Sequence, residues 1–282
     1  MEDKIQYISL DELKPFPGHP FQIRDDEAMR DTVDSIKEYG VLVPAIVRPC
    51  EGGGYEIVSG HRRKYASELA GLKTMPVIVR ELDRDAATVV MVDSNLQREN
   101  ILPSERAAAY KMKLEALKRQ GERNDLTSAQ VVPKLTAREK VAEDAGVNRM
   151  EVTRYIRLTE LQPELQRMVD EKKIAITPAV EISYLKPEEQ KLLVDTIESE
   201  QATPSLSQAQ RMKKLSQSGE LNDDTMLGIM MEQKKPDKMD ITIPAEVLQK
   251  YFPRSYTPQK MQETIIKLLE GWQRKRQQNL QR

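Results

Sequence analysis

The chain has 282 residues, 32% charged, 39% apolar and 5% aromatic, with a formal charge of −1. Its length suggests about two domains, no apolar run approaches the roughly 18 residues of a membrane span, and the acidic start MEDKIQYISLDEL is unlike a signal peptide, so a cytoplasmic protein without membrane attachment is expected. One cysteine, Cys50, and two histidines, His19 and His61, exclude a disulfide framework and a cysteine- or histidine-rich metal site.

The near-neutral total hides an asymmetry. Residues 1–105 hold 13 basic and 19 acidic side chains, net −6, while residues 106–282 hold 31 and 26, net +5. A basic downstream part suits nucleic acid, and suits an ordinary solvated surface equally well.

In chain order, residues 25–39 carry Met29, Val33 and Ile36 at near-helical spacing and stop at Gly40, which predicts a helix. Residues 41–50 (VLVPAIVRPC) and 55–58 are β-type runs separated by the turn residues EGGG, a hairpin pattern. A helix over 61–70, a strand over 74–82 and a helix over 86–96 complete a small α+β domain, 1–103.

After Pro103 the chain turns all-helical. Residues 104–120 are rich in alanine and lysine without a β-branched residue, so a helix is expected up to Gly121. Residues 122–133 read as a polar connector and 136–185 as several short helices, giving a helical domain over 104–200. Residues 201–240, rich in Ser, Gln and Lys, read as a linker containing one helix. In the C-terminal helical region, 241–282, Thr257-Pro258 supply an N-cap and a first-turn residue. Met261, Ile265, Leu268, Leu269 and Trp272 then share one side of a helix, a stripe suited to dimerisation or to packing on its own domain.

Residues 136–161 break into two helical segments around Gly146, with Ala142 and Ala145 small and Val141, Val152, Ile156 and Leu158 apolar. Close crossing needs small residues and the tight turn needs a residue that accepts positive φ, so this is a helix-turn-helix pattern. In a major groove the second helix would offer Asn148, Arg149, Glu151 and Thr153 to base edges or phosphates, and Arg154 and Arg157 to the backbone. Three arginines beside one acid favour DNA binding over a plain helical hairpin. The stretch 106–123, with six basic and two acidic residues, would add phosphate contacts.

In Ser59-Gly60-His61-Arg62-Arg63 a strand ends, a glycine turns and a helix starts with two guanidinium groups in its first turn. Free N–H groups and the positive end of the helix dipole attract phosphate there, and arginine adds bidentate hydrogen bonds. Two arginines on a solvated helix face would share the same pattern.

Three stretches in this order, HPFQIR (19–24), GGYEIVSGHRRKYASELAG (53–71) and VDSNLQRENILPSERAAAY (92–110), resemble the ParB family of DNA-partition proteins, and the helix-turn-helix follows where that family has one. The resemblance covers about residues 6–200. It implies a ParB/sulfiredoxin-like α+β N-terminal domain that binds CTP, an all-α helix-turn-helix domain that recognises a palindromic DNA site, and a dimer that closes as a sliding clamp. Carried over, Gln22 and Arg24 approach the nucleotide, and Gly60, Arg62 and Arg63 hold its triphosphate. Asn95, as Mg²⁺ ligand, and Arg98, with Gln97 beside them, form the magnesium–phosphate end.

Two positions depart from the family, which usually has Glu where this chain has His61 and Glu-Asn where it has Ser94-Asn95. Loss of an acid beside the phosphates removes a group that could organise metal or attack water, so binding is expected to outlast any weak CTPase activity. Asp93, one residue earlier on a helix, points about 100° away. His61 reads as a hydrogen-bond donor to phosphate or as a capping neighbour. The Gly-His-Arg stretch also resembles sulfiredoxin, but Gly60 stands where that enzyme has its reactive cysteine, and Cys50 reads as a buried bystander.

The expected function is thus CTP- and Mg²⁺-dependent DNA partition of a plasmid or chromosome. The expected partners are double-stranded DNA, a second copy and a partition ATPase, although the basic N-terminal tail through which the family recruits that ATPase is not seen ahead of the first strand. The alternative is a helix-turn-helix transcription regulator or nucleoid-occlusion factor whose first domain only dimerises or senses a ligand. An enzyme acting on phosphate esters is disfavoured, because no cluster of acids supports two-metal hydrolysis.

Overall fold

Five short strands build the first part of the chain: β1 (Ile5–Ser9), β2 (Leu13–Lys14), β3 (Ala45–Pro49), β4 (Tyr55–Ser59) and β5 (Thr74–Val79), in sheet order β1-β5-β3-β4-β2. The computed structural model describes residues 4–125 except 51 and 99, 136–232, and 243–280 except 244, 249 and 254. The hairpin forms as expected, β3 against β4 antiparallel, with Gly53 and Gly54 both at φ 77° in its turn. Strand β3 starts four residues later than the sequence pattern suggests. Pro44 brings no N–H to a ladder, and Leu42 and Val43 are exposed.

Helices α1 (Glu27–Tyr39) and α2 (His61–Leu69) pack on each other through Met29, Val33, Ile36 and Ala66, and α3 (Arg84–Leu96) packs Ala87, Met91 and Val92 against Val58 of the sheet. Asp26 and Asp83 cap α1 and α3 with their carboxylates.

Helix α4 (Pro103–Asp125) runs on through Gly121, which was expected to end it; a single glycine costs a helix only about 1 kcal/mol relative to alanine. It serves two cores. Ala109 and Met112 pack with Phe16, Phe21 and α3, whereas Tyr110, Leu114 and Leu117 pack with Val141, Ala142 and Val152 of the helices that follow, α5 (Ala137–Asp144) and α6 (Arg149–Arg157). Most of the 122–133 connector lies outside the described residues.

A bundle follows: α7 (Pro163–Asp170), α8 (Ile176–Ile182), α9 (Pro187–Glu200), α10 (Leu206–Ser218) and α11 (Asp223–Met231). Here the structure corrects the linker expected over 201–240. Residues 205–231 form two capped helices, and Ala209, Met212, Met226, Ile229 and Met230 join the core of α7 to α9. Residues 233–240 of that expected linker lie outside the described residues. The chain divides into two units, 1–232 and 233–282. The second holds α12 (Ala245–Leu248) and α13 (Pro258–Leu280), on which Leu268, Leu269 and Trp272 are exposed. The class is as expected: an α+β N-terminal part, then helices with a helix-turn-helix, then a helical C-terminal part.

Candidate functional site

The strand-to-helix turn at the end of β4 is built for close approach. Gly60 sits at φ 113°, and a Cβ there would meet the Ala45 Cβ at 2.8 Å, so neither the backbone conformation nor the space admits a side chain. Beyond the turn, Arg62 faces a cleft of about 310 Å³ whose walls include Gln22, Arg24, Asp26, Arg98, Asn100 and Glu105. Burial first, and then the Arg62 guanidinium, hold Arg98 below the ordinary arginine range, as expected where cations converge.

Glu105 organises this cleft and went unnoticed in the sequence. Buried at the third position of α4, it accepts the N–H of Leu102 at 3.1 Å, the reach-back half of a capping box, and the N–H of Gln22 at 2.9 Å. Its carboxylate also lies 3.9 Å from Arg24. Pro103 followed two residues later by an acid was the available signal; the tie to Gln22, 83 positions away, left none.

Other expected residues go elsewhere. Arg63 turns away and donates to the carbonyls of Val43 and Pro44 at 2.5 and 2.7 Å, bracing the loop before β3. His61 is buried; its Nε2 accepts the Phe16 N–H at 3.2 Å and its ring lies 3.9 Å from that of His19. Burial chiefly, with the neighbouring His19 and Arg98, pushes its pKa down to about 3, so the ring is neutral and serves as an internal acceptor. The Ser94 hydroxyl and the Asn95 amide both donate to the Met91 carbonyl, with Asn95 buried. Gln97 lines a separate cleft beside α5.

The residues present therefore fit a polyphosphate, through Arg24, Arg62, Arg98 and the start of α2. They do not assemble a magnesium site: Asn95 turns into its own helix, and among the described residues no group of three His, Cys, Asp or Glu side chains could hold a metal ion.

The helix-turn-helix forms as read. Thr136 and Glu139 close a capping box on α5, and Gly146 at φ 66° follows it, with the Val147 N–H returning to the Ala142 carbonyl at 3.0 Å, which closes the helix end and aims the chain into α6. Asn148 caps α6, and Val152 is buried against α4. Asn148, Arg149 and Arg154 are exposed and Glu151 is half-buried; Arg149 lies 3.3 Å from Glu139, and Arg154 donates to Thr177 of α8 at 2.7 Å. A groove of about 320 Å³ between α6 and α8 is lined by Asn148, Met150, Glu151, Arg154 and Thr177. Met150, 65% exposed at the start of α6, belongs to this face and was missed, although its place between Arg149 and Glu151 marked it.

Two of the expected DNA contacts are engaged internally. The Thr153 hydroxyl bonds the Arg149 carbonyl, and Arg157 donates to the Ser183 carbonyl and hydroxyl while its guanidinium lies 4.0 Å over the Tyr184 ring, bracing α8. Four of the six basic residues of 106–123 are likewise committed: Lys111 to Glu160, Lys113 to Asp93 and Asp144, Arg119 to Asp85, and Arg106 to the Tyr155 ring. They are internal ties where phosphate contacts were expected.

Residues 1–96 match the family model of the ParB N-terminal domain and residues 124–219 that of the ParB HTH domain, together more than half of the chain. The chain belongs to the ParB family. It is 35% identical to stage 0 sporulation protein J of Bacillus subtilis over 60% of this chain and 54% of that one. It is 34% identical to the chromosome-partitioning protein Spo0J of Thermus thermophilus over 64% and 61%. The matched segment thus spans little more than half the length of these ParB relatives. Among solved structures, C-terminally truncated ParB of Caulobacter crescentus complexed to the centromeric parS site aligns over 74% of this chain and 98% of that one, at 26% identity and a TM-score of 0.45. No described helix of this ParB-family chain is long and apolar enough to cross a membrane.

Proposed function

We propose that this chain is a DNA-partition protein that reads a palindromic DNA site with α6 and binds CTP in the arginine cleft, with Mg²⁺ brought in on the nucleotide's own phosphates. The observation that carries this reading is the convergence of Arg24, Arg62 and Arg98 on one cleft beside the Gly60 turn, in a member of the ParB family. Guanidinium groups at a helix start suit a polyphosphate. Two copies joined through the exposed Leu268, Leu269 and Trp272 face of α13 would place two reading helices on the two halves of a palindrome, and the nucleotide would favour closure of that dimer as a clamp. Its place is on the nucleoid or a plasmid, with a partition ATPase as further partner.

Labelled CTP with Mg²⁺ should bind more tightly than ATP, GTP or UTP, and Arg62→Ala should abolish that binding while DNA binding without nucleotide persists. Equal affinity for all four would refute the CTP reading. It would favour the second one, a helix-turn-helix regulator whose first domain only dimerises or senses another ligand, to which the buried Asn95 and the Ser94 hydroxyl bonded to its own helix lend support.

A further inference from the structure

Lys113, in the middle of α4, is fully buried, and its ammonium lies 2.5 Å from Oδ1 of Asp93 and 2.6 Å from Oδ2 of Asp144. Asp93 stands in the last turn of α3 and Asp144 is the last residue of α5. An acid at a helix C-terminus opposes the dipole, and a cation there is favoured, so Lys113 compensates two local conflicts at once. A buried ammonium is tolerated only with close, well-made partners, and both partners here come from other elements.

Those elements lead to the two sites. Asp93 precedes Ser94 and Asn95, and the residues just past α3 face opposite ways: Arg98 lines the arginine cleft, whereas Gln97 lines a second cleft of about 240 Å³ with Asp93, Tyr110 and Asp144. On the other side, Asp144 directly precedes the Ala145-Gly146-Val147 turn that aims α6. A shift of the α3 end when Arg98 meets an anion would thus have a charged route to the reading helix through Lys113, beside the apolar contact of Val89 and Leu96 with the same core.

We infer that Lys113 is a positioning residue that couples the arginine cleft to the DNA-facing helix, through Asp93 on one side and Asp144 on the other; this rests on the nucleotide-and-DNA reading above. Lys113 touches neither ligand. Occupancy of either site then changes the affinity of the other, by the same factor in both directions.

The test uses the full chain and a duplex carrying the palindrome it selects from a randomised library. Duplex affinity is measured with and without CTP, and CTP affinity with and without duplex. Wild type should show a reciprocal factor in the usual range of ~5–150. Lys113→Met and, separately, Asp144→Asn should bring that factor to about one while each ligand alone binds as in wild type. Asp144→Asn leaves the ammonium paired with Asp93, so it reports on the coupling even where Lys113→Met fails to fold. A merely structural tie would lower the melting temperature and leave the factor untouched; that result in Asp144→Asn overturns the proposal. CTP binding by wild type without effect on the duplex overturns this inference alone, whereas no CTP binding at all overturns the nucleotide reading and this inference with it.

Discussion

The Arg62 guanidinium lies 3.3 Å from Oδ1 of Asp26, so a cation facing the arginine cleft already has a partner, supplied by the residue that caps α1. The Arg62 hydrogen bond is the first cause holding the Asp26 carboxyl below its ordinary range. An incoming polyphosphate competes with that carboxylate. Asp26→Asn keeps the cap and removes the competing charge, so CTP binding measured by calorimetry should tighten a few-fold. Weaker binding would show that Asp26 assists the ligand instead.

Gly60→Ala should unfold at lower urea concentration, by roughly 1–3 kcal/mol, because the new Cβ meets Ala45 at 2.8 Å on a backbone held at φ 113°. The same variant should lose CTP binding. Unchanged stability would mean that the turn relaxes without cost.

Acid should weaken the fold through His61. Its pKa is about 3 when folded against 6.5 for the ordinary ring, so between those values the unfolded chain binds the extra proton. Stability from this group is therefore complete above pH 6.5 and is lost as pH falls toward 3, at no more than about 1.4 kcal/mol per pH unit. His19, lowered mainly by burial, acts with the same sign. His61→Gln, which retains an acceptor for the Phe16 N–H, should flatten the dependence of the urea midpoint between neutral and mildly acidic buffer; a profile as steep as wild type would assign it to other groups.

Arg149 and Arg157 should separate on substitution. Arg149→Ala should lower discrimination between cognate and scrambled duplexes by roughly 1–3 kcal/mol if its exposed side chain reads a base. Arg157→Ala should instead lower the melting temperature, since it frees Ser183 and Tyr184 just past the end of α8, and should leave the preference between duplexes unchanged. Binding titrations with both duplexes check each outcome, and the reverse pattern would exchange the two roles.

Local signals carried the sequence reading. The Gly60 turn, the Gly146 turn and the apolar spacing of α1 each act within a few residues, so they were legible. Of helices α10 and α11 only one was expected, and within a linker; their packing into the core was not legible, because α10 buries Gln208 and Ser216 beside Ala209 and Met212, and the Gln208 amide donates to the Ile229 carbonyl at 2.7 Å. A buried face that is half polar leaves little apolar periodicity to find. Arg62 and Arg63 look equivalent in the sequence, yet neighbours on a helix diverge by about 100°, and the carbonyls that capture Arg63 lie some twenty positions upstream. Glu105 and Lys113 were missed for the same reason: their partners are distant in the chain.

Helix α4 alternates allegiance residue by residue, giving Ala109 and Met112 to one core and Tyr110, Leu114 and Leu117 to the next. A fragment cut at position 103 would therefore bare a greasy flank on each product, and excision is a poor way to study either half. Heat should melt residues 1–232 in one cooperative transition, with the sheet-bearing lobe and the helix-turn-helix lobe losing their native packing together.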